Sequence, residues 1–208
     1  MKYDKDLFVK HLQGMVQIPT VSSADPEKTR VDDFLALHKY LEEAYPLVHK
    51  TLSREVIGKC ALLYIWKGTG KSGKLPLLMT AHQDVVPEGD HAMWKYPPFS
   101  GHVDEEGVMW GRGCTDSKCN IQAYLDAIEL LIADGFTPDQ RFYLSYANVW
   151  ANNIRDAEIL SRTKTDPHSL GRWRVNQTLR NIDPFFKAFN IKEGDKMFLP
   201  ESERVIIW

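Results

Sequence analysis

An apolar run, Leu75–Met79, is followed closely by His82 and Asp84. A continuous apolar run of this length is typical of a short strand buried on both faces. Such strands occur in α/β proteins, in which helices cover the sheet. The polar side chains that follow the run lie where the chain leaves the core. The sequence therefore predicts an α/β fold with His82 and Asp84 at one edge of its sheet.

A second short apolar segment, Val108–Trp110, is followed by a Gly-Arg-Gly turn and then by Asp116. Imidazole and carboxylate groups are ligands that zinc accepts. His82 and Asp116 are therefore candidate metal ligands. The alternative is that these polar residues are merely solvated at the ends of their strands.

The rest of the N-terminal part alternates between helical and strand patterns. Apolar residues recur at helical spacing over residues 7–18, 34–44 and 121–132. Residues 48–57 and 60–66 favour strands. This order of elements supports an α/β layer architecture with the site at the strand ends.

Three motifs in the same region resemble one family of hydrolases. They are AHQDVVP, then W-x-x-PPFSG, then W-GRG-x-x-D-x-K, within residues 81–118. Their order and spacing resemble the di-zinc amidohydrolases and exopeptidases of the aminoacylase, carboxypeptidase S, acetylornithine deacetylase and succinyl-diaminopimelate desuccinylase family. The resemblance covers about residues 7–138. It implies a three-layer α/β domain with two zinc ions that hydrolyses the amide bonds of peptides or N-acyl amino acids.

The resemblance also assigns roles to individual residues. His82 would bind one zinc ion, and Asp116 would bridge both. Asp84 would accept the other ring N–H of His82 and so fix its tautomer. Arg112 and Lys118 are expected to position the loop that carries Asp116, and the peptide bond after Asp116 is commonly cis in this family.

The resemblance stops before the catalytic acid of the family. In that family a strand leads into two acidic residues, a general base and a zinc ligand. Here residues 139–153 read DQRFYLSYANVWANN, with no acidic pair. His82 and Asp116 alone are fewer than the three protein ligands typical of catalytic zinc. We therefore expect residues 1–138 to form a truncated catalytic domain.

Residues 139–208 resemble a different family. The stretches QRFYLSYANVW, TDPHSLGRWRVNQTL and GDKMFLPESERVIIW resemble, in order, the C-terminal segment of neprilysin-type zinc endopeptidases. By that resemblance His168 would help to stabilise the transition-state oxyanion, and Arg174 would hold a substrate carbonyl. With Asp84 they are the candidate catalytic residues. The alternative for His168 and Arg174 is an ordinary exposed loop, because the HExxH zinc motif of that family is absent from the chain.

The junction between the two resemblances has conflicting signals. Thr137–Gln140 has the form of a capping box with Pro at the first helical position, which predicts a helix over residues 138–152. The alternation of Phe142, Leu144 and Tyr146 favours a strand instead. We adopt the helix, so that residues 139–208 form a mainly helical and irregular tail that adds no strand to the sheet.

Composition argues against several classes of function. A net charge of −2 indicates neither nucleic acid nor an anionic membrane as a partner. No apolar run approaches the ~20 residues of a membrane span. Three cysteines are an odd number at no zinc-finger spacing, and the N-terminal residues lack the pattern of a signal peptide. We expect a cytoplasmic protein, and its oligomeric state is left open.

Together the two resemblances imply a zinc-dependent metallopeptidase or amidohydrolase by ancestry, incomplete as an isolated chain. Two alternatives are left open. One is a non-catalytic fusion of two peptidase fragments. The other is a peptide-binding module that needs a partner chain to supply the missing acids.

Overall fold

The computed structural model describes residues 4–23, 26–57, 59–71, 73 and 76–147. All of them belong to the first of the two units into which the chain divides, residues 1–151. Most of the tail predicted over residues 139–208 lies outside the described residues.

The described residues form an α/β fold, as predicted. Their helices are α1 (Lys5–Val16), α2 (Val31–Ala44), α3 (Pro46–Thr51) and α4 (Lys118–Ala133), with short 3₁₀ turns at Pro26–Lys28 and His91–Met93. Their strands are β1 (Ser53–Ile57), β2 (Ala61–Trp66), β3 (Leu77–His82), β4 (His102–Val103), β5 (Met109–Trp110) and β6 (Phe142–Ala147). Among these helices, none combines the length and the apolar composition needed to cross a bilayer.

Four of the strands form a mixed sheet in the order β1-β2-β6-β3. β2 is antiparallel to β1 and to β6, whereas β3 and β6 are parallel. In the parallel pair Leu77 lies opposite Phe142, and His82 lies opposite Ala147. The C-terminal ends of β3 and β6 therefore meet at one edge of the sheet.

The helix predicted over residues 138–152 is wrong, because residues 142–147 form β6. The expectation that the tail adds no strand to the sheet is wrong for the same reason. β6 lies between β2 and β3, and Leu144 and Tyr146 are fully buried there. The capping-box form at Thr137–Gln140 is a local signal, and pairing with two strands outweighs it, since local propensity is a weak prior.

Two further expectations need correction. Residues 48–51 belong to α3 rather than to a strand. The carboxylate of Glu129 accepts the backbone N–H groups of Leu47 and Val48 at 2.9 and 2.8 Å, and so caps this short helix from α4. β3 is not buried on both faces: it ends the strand order of the described sheet, and Leu77 is 41% exposed.

The hydrophobic core lies on one face of the sheet. Alternate residues of β2 and β6 point into it, and every α-helix described adds side chains to the same cluster, including Met15, Leu37, Leu41, Val48, Leu62, Tyr64, Ile121, Leu125, Leu144 and Tyr146. Burial of a side chain of this size stabilises the fold by about 1.5–3 kcal/mol. The described helices form one layer on this face of the sheet. The second helical layer of the predicted three-layer architecture stays a prediction.

Candidate metal centre

The structure brings His82, Asp84 and Asp116 together at the end of β3. Nε2 of His82 lies 2.8 Å from Oδ1 of Asp116. On the other side of the ring, Nδ1 lies 2.8 Å from the backbone oxygen of Asp84 and 3.2 Å from its Oδ1. The side chain of Asp84 is fully buried, whereas that of Asp116 is 61% exposed. The imidazole therefore joins a buried carboxylate to an exposed one.

Asp116 reaches His82 because the loop before α4 is tied to the end of β3. The hydroxyl of Ser117 accepts the backbone N–H of His82 at 3.1 Å. The peptide bond between Asp116 and Ser117 is cis, as the family resemblance implies. This contact places the carboxylate of Asp116 directly beside the imidazole.

Lys118 anchors the same loop to the end of α1. Its Nζ is buried and donates to the backbone oxygens of Met15 and Ile18 at 2.8 and 2.6 Å. Burial lowers the pKa of Lys118 to about 7. A donor at this position satisfies backbone oxygens near the end of a helix, which have no partner within the helix itself. Lys118 therefore fixes where α4 and the Asp116 loop begin.

Arg112 ties the loop to the segment that follows Asp84. Its Nη2 donates to the backbone oxygen of Pro87 at 3.4 Å, and its guanidinium lies 4.9 Å from the ring centre of Trp94. Arg112 and Lys118 thus hold the Asp116 loop from two directions.

The pKa values of His82 and Asp116 are both shifted by neighbouring groups. Burial lowers the pKa of His82, but the hydrogen bonds to Asp116 and Asp84 and the charges of both carboxylates outweigh it and raise this pKa to about 10. The hydrogen bond from His82 lowers the pKa of Asp116 below its ordinary value. With these partners His82 is an imidazolium near neutral pH, and each ring nitrogen donates to a residue of the site.

One contact of the site escaped the sequence analysis. The hydroxyl of Ser22 donates to Oδ2 of Asp84 at 2.7 Å, and both residues are buried. Thr20–Ser23 reads as a polar loop, and Ser22 lies 62 positions before its partner. The only signal was that polar residues directly follow the end of a helix.

The donor set fits part of a zinc site. An imidazole nitrogen and a carboxylate side by side are suitable zinc ligands, and hydrogen bonding of the second ring nitrogen is typical of zinc-binding histidines. Among the residues described, however, no three His, Cys, Asp or Glu side chains are grouped so as to hold a metal ion. Catalytic zinc normally has three protein ligands. These residues therefore do not form a complete centre, and the metal-binding roles of His82 and Asp116 stay predictions.

The two remaining candidates, His168 and Arg174, lie outside the described residues. Their predicted contacts with a substrate stay predictions that rest on the resemblance of their segment alone.

The sequence from β3 to β6 matches a peptidase family. Residues 78–146 match the model of peptidase family M20/M25/M40, and this range contains all three central residues of the site. This region is homologous to the M20 peptidases. The M20 match continues to residue 146, so that it includes β6, although residues 139–208 resemble the neprilysin-type endopeptidases.

Curated relatives extend the M20 homology. The chain is 42% identical over 146 residues to carboxypeptidase S of Saccharomyces cerevisiae, an alignment that covers 66% of this chain. It is 35% identical over 136 residues to the human N-fatty-acyl-amino acid synthase/hydrolase, covering 64% of this chain. The chain spans about a quarter of the length of these relatives, 25% and 26%.

Solved structures support the M20 fold. Human carnosine dipeptidase 1 aligns with a TM-score of 0.59 and 17% identity, covering 76% of this chain and 35% of that one. An M20 family metallo-carboxypeptidase from Sulfolobus solfataricus aligns with a TM-score of 0.55 and 21% identity, covering 70% of this chain and 31% of that one. At such identities the likeness concerns the fold.

A second family model matches the C-terminal part. Residues 121–205 match the model of peptidase family M13, the neprilysin family. The two matches overlap over residues 121–146. The domain boundary predicted after residue 138 therefore lies within a stretch that both family models match.

Proposed function

We propose that this chain carries one part of an M20-type zinc site and is an incomplete zinc-dependent metallopeptidase or amidohydrolase. The observation that carries the proposal is the pairing of His82 Nε2 with Asp116 Oδ1 at the end of β3. The ring orientation is set from the other side by Asp84. A half-buried histidine held in this way offers one nitrogen toward an exposed carboxylate.

The substrate class follows from the relatives. One is named a carboxypeptidase and another an N-fatty-acyl-amino acid synthase/hydrolase. Both names concern amide bonds to an amino acid. When bound, zinc would supply Lewis-acid polarisation of an amide carbonyl or a water of lowered pKa. His82 and Asp116 would hold it, and Asp84 would keep the His82 ring in place.

The missing component is a carboxylate base. β3 and β6 end at the same edge of the sheet, where Ala147, the last residue of β6, lies opposite His82. The sequence after Ala147 reads Asn148, Val149 and Trp150, and the first acidic residue after β6 is Asp156. A general base typically contributes about 10²–10⁴-fold to the rate. We therefore infer that the isolated chain does not sustain turnover.

The test combines zinc binding with hydrolysis. The purified full chain is dialysed against zinc, its metal content is measured, and hydrolysis of N-acyl amino acids and dipeptides is followed. We expect zinc binding that is lost in His82→Ala but kept in His91→Ala, whose exposed imidazole pairs with Glu88 instead. We expect hydrolysis no faster than in buffer. Turnover that disappears with chelator and in His82→Ala would show a complete enzyme, and absence of any His82-dependent zinc binding would refute the site.

The M13 match favours a second candidate, a non-catalytic fusion of two peptidase fragments. The HExxH motif of the neprilysin type is absent from the chain, so the C-terminal part brings no zinc motif of that kind. Sequencing of transcripts across the codons for residues 135–141 tests this candidate. A continuous read supports a single fused product, whereas a read that separates into two genes contradicts it.

A further inference from the structure

A short segment after α1 runs alongside the residues that follow β3. Val21 and Val85 form a parallel bridge. The backbone N–H of Ser22 donates to the oxygen of Val85 at 3.1 Å, and the N–H of Val85 donates to the oxygen of Thr20 at 2.9 Å. The hydroxyl of Thr20 also donates to the backbone oxygen of Gln83 at 2.6 Å. The backbone on both sides of Asp84 is thereby fixed.

The side chain of Ser22 then acts on the carboxylate of Asp84 itself. Its hydroxyl donates to Oδ2 at 2.7 Å, while Oδ1 lies 3.2 Å from Nδ1 of His82, whose nearer partner is the backbone oxygen of Asp84 at 2.8 Å. The two oxygens of one carboxylate thus face two different donors. A hydrogen bond to an ionised carboxylate is stronger than a neutral one, and Ser22 and Asp84 are 1% and 0% exposed. The contact restricts rotation of the carboxylate about its last side-chain bond.

The segment is also held at its start. Lys118 donates to the backbone oxygens of Met15 and Ile18, at the point where α1 ends. The start of the segment is therefore held by the same lysine that anchors the Asp116 loop. Asp84, which Ser22 contacts, and Asp116 lie on opposite sides of the His82 ring.

We propose that Ser22 is a positioning residue for His82: it orients the Asp84 carboxylate, which in turn holds the imidazole toward Asp116. A purely structural serine would only satisfy a buried carboxylate. A positioning serine also determines how firmly the Nδ1 proton of His82 is held. Any effect of this orientation on metal binding rests on the proposed function. The orientation itself does not, because it follows from contacts within this chain.

The test reads the His82 ring directly. The full chain is labelled with ¹⁵N, kept in chelator, and its histidine ring N–H signals are recorded, with His82 assigned by its loss in His82→Ala. In Ser22→Ala we expect the Nδ1 proton to exchange with water about tenfold faster, as for the loss of a hydrogen bond to a charged group. Ser22→Thr keeps the hydroxyl and is expected to restore slow exchange.

Thr20→Val is the matched control. It removes a buried hydroxyl from the same segment, but that hydroxyl contacts the backbone of Gln83 rather than the Asp84 carboxylate. We expect Thr20→Val to leave the exchange rate of the Nδ1 proton within about twofold of the parent chain, well short of the tenfold change expected for Ser22→Ala. Unchanged exchange in Ser22→Ala, or an equal change in Thr20→Val, overturns the proposal.

If circular dichroism shows that Ser22→Ala is unfolded, Ser22→Cys replaces it, because the thiol fills the space and is a weak donor. The exchange rate of the Nδ1 proton in Ser22→Cys is then expected to lie between the rate in the parent chain and the rate in Asp84→Asn, which removes the carboxylate beside His82. A rate equal to that of the parent overturns the proposal. Zinc content of the parent chain, measured separately, decides the proposed function and does not enter this comparison.

Discussion

His82 and Asp116 are 34 positions apart in the chain, yet Nε2 of the first lies 2.8 Å from Oδ1 of the second. The contact joins the end of β3 to the loop before α4. It exists because the hydroxyl of Ser117 holds the backbone of His82 and because Lys118 fixes the start of α4. The candidate site therefore depends on the packing of α1, β3 and α4 rather than on one loop.

The contribution of His82 to stability should depend on pH. Its pKa is about 10 in the folded chain and has an ordinary value of 6.5. Between pH 6.5 and 10 the folded chain therefore keeps a proton on His82 that the unfolded chain has released. The resulting stabilisation is complete below pH 6.5 and is lost as the pH rises through 10. We expect the difference in free energy of unfolding between the parent chain and His82→Gln to shrink over this range in urea titrations. His91→Gln, at an exposed position, should change stability by less than about 0.5 kcal/mol.

Lys118 should show the opposite trend. Burial lowers its pKa to about 7 from an ordinary value of 10.5. Between pH 7 and 10.5 Lys118 is protonated in the unfolded chain but not in the folded chain. The contribution of Lys118 to the free energy of unfolding therefore becomes more favourable as the pH rises. We expect the stability advantage of the parent chain over Lys118→Met to grow from pH 7 to 10.5. Lys39→Met, at a 79% exposed side chain, serves as the control, and an advantage that shrinks with pH would contradict the lowered pKa.

Gly113 should tolerate no side chain. Its φ is +92°, and a Cβ there would lie 2.9 Å from Cγ1 of Val85. Gly107 also has a positive φ, +80°, but a Cβ there meets nothing within 4 Å. Gly107→Ala therefore isolates the cost of the backbone conformation, about 1 kcal/mol. We expect Gly113→Ala to lower the free energy of unfolding clearly more than Gly107→Ala, and equal losses would contradict the crowding at Val85.

Leu144 tests whether β6 belongs to the core. It is fully buried between β2 and β3. We expect Leu144→Ala to lower the free energy of unfolding by about 2–5 kcal/mol, the range for a buried leucine. Val56→Ala, at a residue 48% exposed on β1, should have a much smaller effect. Hydrogen exchange should show slow amides across residues 143–146, and fast exchange there would contradict a central strand.

The sequence motifs locate the site but not all of the contacts that support it. The motifs around His82, Asp84 and Asp116 predicted that these side chains lie together, and the structure places them within hydrogen-bonding distance. Ser22 was missed because its partner is 62 positions away and its own neighbourhood has no apolar pattern. The backbone oxygen of Asp84, nearer to Nδ1 than the carboxylate, was missed because residue types carry no information on backbone geometry.

The fold, like the site, is predictable only in part from the sequence. α1, α2 and α4 are predictable from the sequence, because a stripe of apolar residues at helical spacing packs stably against a core. The sequence also determined that imidazole and carboxylate groups follow a strand. The strand at residues 142–147 depends on tertiary pairing, because the capping-box form and the alternating pattern favour different local structures. Pairing with β2 and β3, both distant in the chain, resolves that conflict, since a central strand satisfies its backbone groups on both sides.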